Sequence, residues 1–242
     1  METNSYSIAM KNSKSIILAF SLFFIAISVL AQQTETRTPG NFTKIYSGGS
    51  WDVIVQTGNK EEVRLESTNI SLDKVITEVE NNTLKISLEK GNYRNIGLTV
   101  YVTVREVEGL KSTGSGSIKL QSDISAGSLS LGNTGSGNVM LKNVNADNLS
   151  VGLTGSGIVS IAGGTVETLS VSQTGSGDFK GSELVVEKAS INKTGSGQSY
   201  IGAVENLNVK STGSGNVYYS GNPQSTNISS TGSAKVIKKS DQ

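Results

Sequence analysis

LSVGLTGSGIVSIAGG, residues Leu149–Gly164, decides how this chain is read. Its centre, Thr-Gly-Ser-Gly, occurs at 113–116, 134–137, 154–157, 174–177, 194–197 and 212–215, and a seventh copy, 231–234, ends in alanine. The intervals between successive motif threonines are 21, 20, 20, 20, 18 and 19 residues. A fixed period in this range is the signature of a solenoid or a related array.

Counting from each threonine as zero, position −3 holds Leu110, Leu131, Val151, Val171, Ile191, Val209 and Ile228. Position −5 holds Leu129, Leu149, Leu169, Ala189 and Leu207, and position +5 holds Ile118, Val139, Val159, Phe179, Ser199, Val217 and Val236. Apolar residues therefore alternate with polar ones on both arms, the period of a half-buried strand. Each repeat reads as a strand, a Gly-Ser-Gly bend, a second strand and a variable connection. Identical corners at a constant interval are not needed in a β-sandwich. They are needed where equivalent residues stack on rungs about 4.8 Å apart. The expected fold is all-β: a single-stranded β-helix, or β-solenoid, with ~20-residue rungs and an irregular β portion at its N-terminal side.

The corner ladder, Thr134-Gly135-Ser136-Gly137, Thr154-Gly155-Ser156-Gly157, Thr174-Gly175-Ser176-Gly177 and Thr194-Gly195-Ser196-Gly197, is expected to be architectural. Glycine permits backbone angles closed to other residues and close approach of the chain to the core. The hydroxyls can bond one another or the next backbone. Position −1 is mixed: Ser112, Asn133, Leu153, Gln173, Lys193, Ser211 and Ser230. That mixture predicts a break in strand parity at the corner.

Four segments follow. Residues 1–31 read as a signal peptide, with Lys11 and Lys14 before an apolar run from Ile16 to Leu30 and cleavage between Ala31 and Gln32. Residues 32–39 read as a short linker, 40–112 as an N-terminal β portion that caps the solenoid or forms irregular rungs, and 113–242 as the regular repeats. Lys235, Lys238 and Lys239 lie at the far end, where lysine discourages end-to-end stacking.

The chain has no cysteine and no histidine, so disulfides and thiolate or imidazole metal sites are excluded. Without the signal segment it carries 19 basic and 19 acidic residues. This balance draws it neither to nucleic acid nor to an anionic membrane. No membrane insertion of the mature chain, no cofactor and no metal are expected. The glycine repeats lack the Lys-Ser or Lys-Thr of a phosphate loop. The charged residues Asp178, Lys180, Glu183 and Glu187 form no acid/base pair by spacing, so an enzyme is not expected.

Position +6 is the informative outward column: Lys119, Met140, Ser160, Lys180, Tyr200, Tyr218 and Ile237. Tyr200, Tyr218 and Ile237 would stack on three successive rungs, as a binding platform or as a stabilising ladder.

Beyond this reading, the chain resembles the bacterial family called putative autotransporter adhesin, head GIN domain. The resemblance rests on the signal segment, on FTKIYSGGSWDVIVQTG (Phe42–Gly58), NNTLKISLEK (Asn81–Lys90) and LTVYVTVREVEGLKSTGSGSI (Leu98–Ile118), and on the glycine-serine corners that follow. It implies a β-helical fold in the envelope or exterior of Bacteroidetes-like bacteria, adhesion by analogy, and no established activity. No C-terminal membrane barrel follows the last repeat, so self-translocation is not expected. The expected function is a non-enzymatic scaffold, periplasmic, outer-surface-associated or extracellular, that binds a surface glycan or an envelope protein. A purely structural envelope component and a carbohydrate-active β-helix enzyme are the alternatives.

Overall fold

The computed structural model describes residues 32–239. The signal segment, 1–31, lies outside the described residues. The rest is a β-solenoid of about six turns, with one 3-10 turn, η1 (Leu72–Lys74), and no α-helix among the described residues.

The regular rungs show why the repeat is written as it is. Strand β10 (Ile124–Gly135) runs parallel to β11 (Asn138–Gly155), and β11 to β12 (Ile158–Gly175). Leu129, Leu149 and Leu169 fall in one column, and Thr134, Thr154 and Thr174 in another. Between β11 and β12 the pairing lapses at residues 142 and 147, where the chain bends. Each turn thus has three short ladders and three corners, one of which is Thr-Gly-Ser-Gly. Strands β13 (Asp178–Gly181), β14 (Leu184–Gly195), β15 (Ser199–Gly213), β16 (Val217–Ser220), β17 (Ser225–Gly232) and β18 (Val236–Lys238) continue the stack in parallel register. The apolar columns form one core from Phe42 to Val217.

The N-terminal portion both caps the solenoid and supplies rungs, and it does so out of chain order. Strand β1 (Gln33–Arg37) comes first, followed by β2 (Lys44–Ser47), β3 (Asp52–Thr57), β4 (Glu62–Ser67), β5 (Val75–Glu80), β6 (Thr83–Leu88), β7 (Leu98–Val104), β8 (Gly109–Gly114) and β9 (Ile118–Leu120). β2 lies between β6 and β8, and β3 between β7 and β9, all parallel. The first rung made by the chain is therefore an interior one, and residues 83–104 form the rung outside it. Antiparallel strands close that end: β5 on β6, β4 on β7, and β1 on β4.

Residues 32–39, read as a linker, hold strand β1. The stretch Gln33-Thr34-Glu35-Thr36-Arg37 has no apolar residue, so hydrophobic patterning could not show it. It is held by backbone pairing to β4 and by Arg37, whose guanidinium donates to Leu72 O (2.7 Å), Val75 O (2.5 Å) and Thr77 Oγ1 (3.1 Å).

Strand parity does not break at the corner. Ser112, Asn133, Leu153, Gln173, Lys193 and Ser211 at position −1 are all buried, while the ladder threonines from Thr134 to Thr194 are exposed. The mixed column is an interior one. Ser112, Asn133, Gln173 and Lys193 stay inside because they find backbone carbonyls there.

Candidate functional site

The corner comes first, because it sets where every side chain points. All seven first glycines of the motif, from Gly114 to Gly232, have φ between +101° and +132°, a region that side chains other than glycine rarely enter. Gly155 adds close approach: a Cβ there would lie 2.6 Å from Gly135 O. At Gly157 a Cβ would overlap Gly137 O and the Asn133 amide. The carbonyl of each first glycine from Gly114 to Gly195 accepts two amides from the next rung, as Gly135 O does from Ser156 N (2.9 Å) and Gly157 N (3.0 Å), and Gly213 O accepts one, from Ala234 N (3.0 Å). Backbone rather than hydroxyls therefore ties corner to corner. Among the ladder serines one mutual bond forms, Ser214 Oγ to Ser196 Oγ at 3.2 Å.

Inside the corner, position −1 donates to the carbonyl four residues on. Ser112 Oγ donates to Gly116 O (3.0 Å), Asn133 Nδ2 to Gly137 O (2.5 Å), Gln173 Nε2 to Gly177 O, and Lys193 Nζ to Gly197 O. Lys193 also reaches Gly215 O at 2.6 Å. That occupies the carbonyl that Ser211 would serve, and Ser211 Oγ is left without a partner. Ser199 fills a core position and donates to Gln173 Oε1 (2.6 Å). Lys193 is 3% exposed. Burial pushes its ammonium pKa below the ordinary lysine value, opposed by the charge of Asp178. Sequence pattern alone gives this column no role. The signal it does carry is that six of its seven residues can donate a hydrogen bond.

The outward column assembles as the alternation requires. Tyr200 on β15, Tyr218 on β16 and Ile237 on β18 are in register. The tyrosine rings stack with centroids 4.9 Å apart and planes 8° from parallel. Tyr200 donates to Gln198 Oε1 (2.5 Å), and Asn216 Nδ2 donates to the Tyr218 hydroxyl (3.1 Å). Lys239 Nζ lies 5.0 Å from the Tyr200 centroid and 5.5 Å from that of Tyr218, within cation–π reach of both. Burial first, then Tyr218 and Asp178, raises the Tyr200 phenol above its ordinary pKa. All three column residues are half-buried.

The charged residues weighed as a catalytic set do not converge. Asp178 Oδ1 accepts the Gln198 amide (2.8 Å), and Glu187 pairs with Lys188 (2.7 Å). Lys180 and Glu183 are exposed. Among the described residues no group of three or more acidic residues is placed to hold a metal ion, and no helix is long and apolar enough to cross a membrane.

Solved structures share this architecture. A putative adhesin from Bacteroides fragilis aligns with a TM-score of 0.79 at 19% identity, over 86% of this chain and 97% of that one. A putative adhesin from Parabacteroides distasonis gives 0.69 at 19% identity, over 86% and 97%. A protein of the same organism described as a putative lipid binding protein gives 0.62 at 26% identity, over 85% and 96%. No curated protein matches the chain. A family model described as putative auto-transporter adhesin, head GIN domain, matches residues 41–223. With that match over most of its length and the solenoid it implies in place, the chain belongs to the auto-transporter adhesin head GIN domain family.

Proposed function

We propose that the protein is an exported, non-enzymatic adhesin-like scaffold of the cell envelope or exterior, and that the Tyr200–Tyr218–Ile237 column meets a partner protein. The observation that carries this reading is the ring geometry. Stacking a sugar on an aromatic residue requires an open ring face. Here each tyrosine spends one face on the other, and the in-register neighbours Lys180 and Ile237 stand on the rungs beyond. What remains outward is ring edge, hydroxyl and the Lys239 ammonium. The tyrosines in that set are of the residue type enriched at protein interfaces. The family and the adhesin-named neighbours support a binding role of this kind. The structural alternative draws on one fact: both hydroxyls already have partners within the column.

The test is retention of the mature protein on two surfaces, envelope protein and envelope polysaccharide from the source organism. Retention by the protein surface, lost after protease treatment and lost in Tyr200→Ser/Tyr218→Ser at unchanged urea midpoint, is the expected result. Loss on periodate treatment instead would favour glycan, and no retention on either surface would favour the structural component.

A further inference from the structure

The two ends of the solenoid present unpaired strand edges on the same two ladders. At the N-terminal end the outermost strands are β5, paired only with β6, and β1, paired only with β4. At the C-terminal end they are β17, paired only with β15, and β18, paired only with β16. Every residue of β17 is exposed, and its core-side Ile228 is 46% exposed. Open edges of this kind template pairing with another chain.

Charge selects what the open end can pair with. From residue 206 to 239 there is no Asp or Glu, while Lys210, Lys235, Lys238 and Lys239 are present. Two C-terminal ends therefore repel. The outermost elements of the opposite end are acidic: across β1, η1 and β5, Glu35, Asp73, Glu78 and Glu80 outweigh Arg37 and Lys74, and Glu78 and Glu80 are exposed on β5, with Lys85 of β6 paired to Glu80. Arg37 occupies Val75 O at the start of β5, and no strand covers the rest of that edge among the described residues.

We propose that a second copy of this chain docks head to tail, with the acidic β5/β1 end of one molecule on the basic β17/β18 end of the next. The strand directions permit it. The ladder from β6 to β17 is parallel throughout and β5 is antiparallel to β6, so β17 meets the incoming β5 as an antiparallel neighbour. β1 runs in the direction of β7 and of β18, so that pair meets in parallel. The lysines act against the symmetric tail-to-tail dimer and leave the heterologous contact. A heterologous contact that does not close into a ring propagates as a filament. The inference does not rest on the binding role of the tyrosine column, although β18 carries its last member, Ile237, and its test leaves Ile237, Lys239 and both tyrosines untouched.

Sedimentation velocity of the mature chain from Gln32, from low to high micromolar concentration, gives the readout. In about 20 mM NaCl, where charges act over roughly 20 Å, the weight-average sedimentation coefficient rises continuously with concentration. In about 0.5 M NaCl it returns towards the monomer value. Lys235→Glu/Lys238→Glu blocks the tail and Glu78→Lys/Glu80→Lys blocks the head. Each variant alone stays monomeric, and their equimolar mixture associates again, because an intact tail then meets an intact head. A monomer at every concentration in low salt overturns the proposal. So does a dimer that the head substitution leaves unchanged, or variants that do not associate on mixing.

Discussion

In the regular rungs each side chain sits above its own counterpart, whereas in the N-terminal cap unlike residues face one another. The ion pairs follow that division. Seven of those in the described structure lie between residues 35 and 105, and the other two both belong to Lys188. Parallel stacking in register puts like on like, so a charged column repels itself. The repeats accordingly place many Ser, Thr, Asn and Gly outward, and where a lysine stands outward, as at Lys119 and Lys180, its in-register neighbours are uncharged. The one acidic column, Asp147, Glu167, Glu187 and Glu205, has Lys188 beside it. Antiparallel pairing brings different sequence positions opposite each other, so the cap can match Lys85 with Glu80 and Lys74 with Glu89. The rungs are held by core and backbone. The cap adds side-chain bonds, with Arg37 the chief of them.

The sharpest way to break this contrast is to compare two glycines with positive φ. Gly155 lies under a neighbouring rung, while Gly40, φ +100°, has nothing within 4 Å of where a Cβ would stand. Gly40→Ala should cost about 1 kcal/mol, the backbone term alone. Gly155→Ala adds collision with Gly135 O and should cost at least about 3 kcal/mol. Urea midpoints decide it, and equal shifts would mean that rung stacking does not constrain the corner.

Arg37→Ala comes next. It leaves Val75 O without its donor and Leu72 O with the Val75 amide alone, and should cost about 2 kcal/mol. Hydrogen exchange should show β1 and β5 losing protection while residues 129–175 keep theirs. Uniform loss along the chain would show that the cap and the rungs unfold as one unit.

Lys193 gives a pH test within the rungs. Its folded pKa is lowered, so between that value and the ordinary 10.5 the folded chain binds fewer protons than the unfolded one. Stability should therefore rise with pH across that window, with the full cost of the buried charge present below it. Lys193→Gln keeps a donor, as at Gln173, and should flatten the wild-type slope across the window. Parallel pH profiles for the two proteins would refute the buried charge.

The smallest effect belongs to Ser156→Ala. The Ser156 hydroxyl lies on the outer side of the corner and makes no hydrogen bond in the described structure. The change should stay within about 0.5 kcal/mol, and a larger loss would restore the hydroxyl ladder that the repeat suggested.

The outward Tyr200–Tyr218–Ile237 column was legible in the sequence, because a residue's position relative to its corner gives both its face and its neighbours. The stacking of the rings, which turns their faces away from solvent, was not legible, since it depends on side-chain torsions and on Lys239 arriving from a later segment. The inward Asn133, Gln173 and Lys193 were hidden for a related reason. Polarity alone suggests an outward residue, and the carbonyls that satisfy these groups come into place only when the corner closes.

By itself the sequence determined the period, the solenoid, the core columns and the need for glycine at the corner. All of these follow from local alternation repeated at a constant interval, which forces equivalent residues together. Only the tertiary structure decided the order of the first rungs, the strand at Gln33–Arg37 and the donors inside the corner. The first two rest on partners far away in the chain, β2 between β6 and β8 and Arg37 on Val75, while the corner donors reach carbonyls four residues on that come into place only when the corner closes. A non-repeating segment carries no register to say where its partner lies, so backbone pairing and burial choose it only when the whole chain has closed.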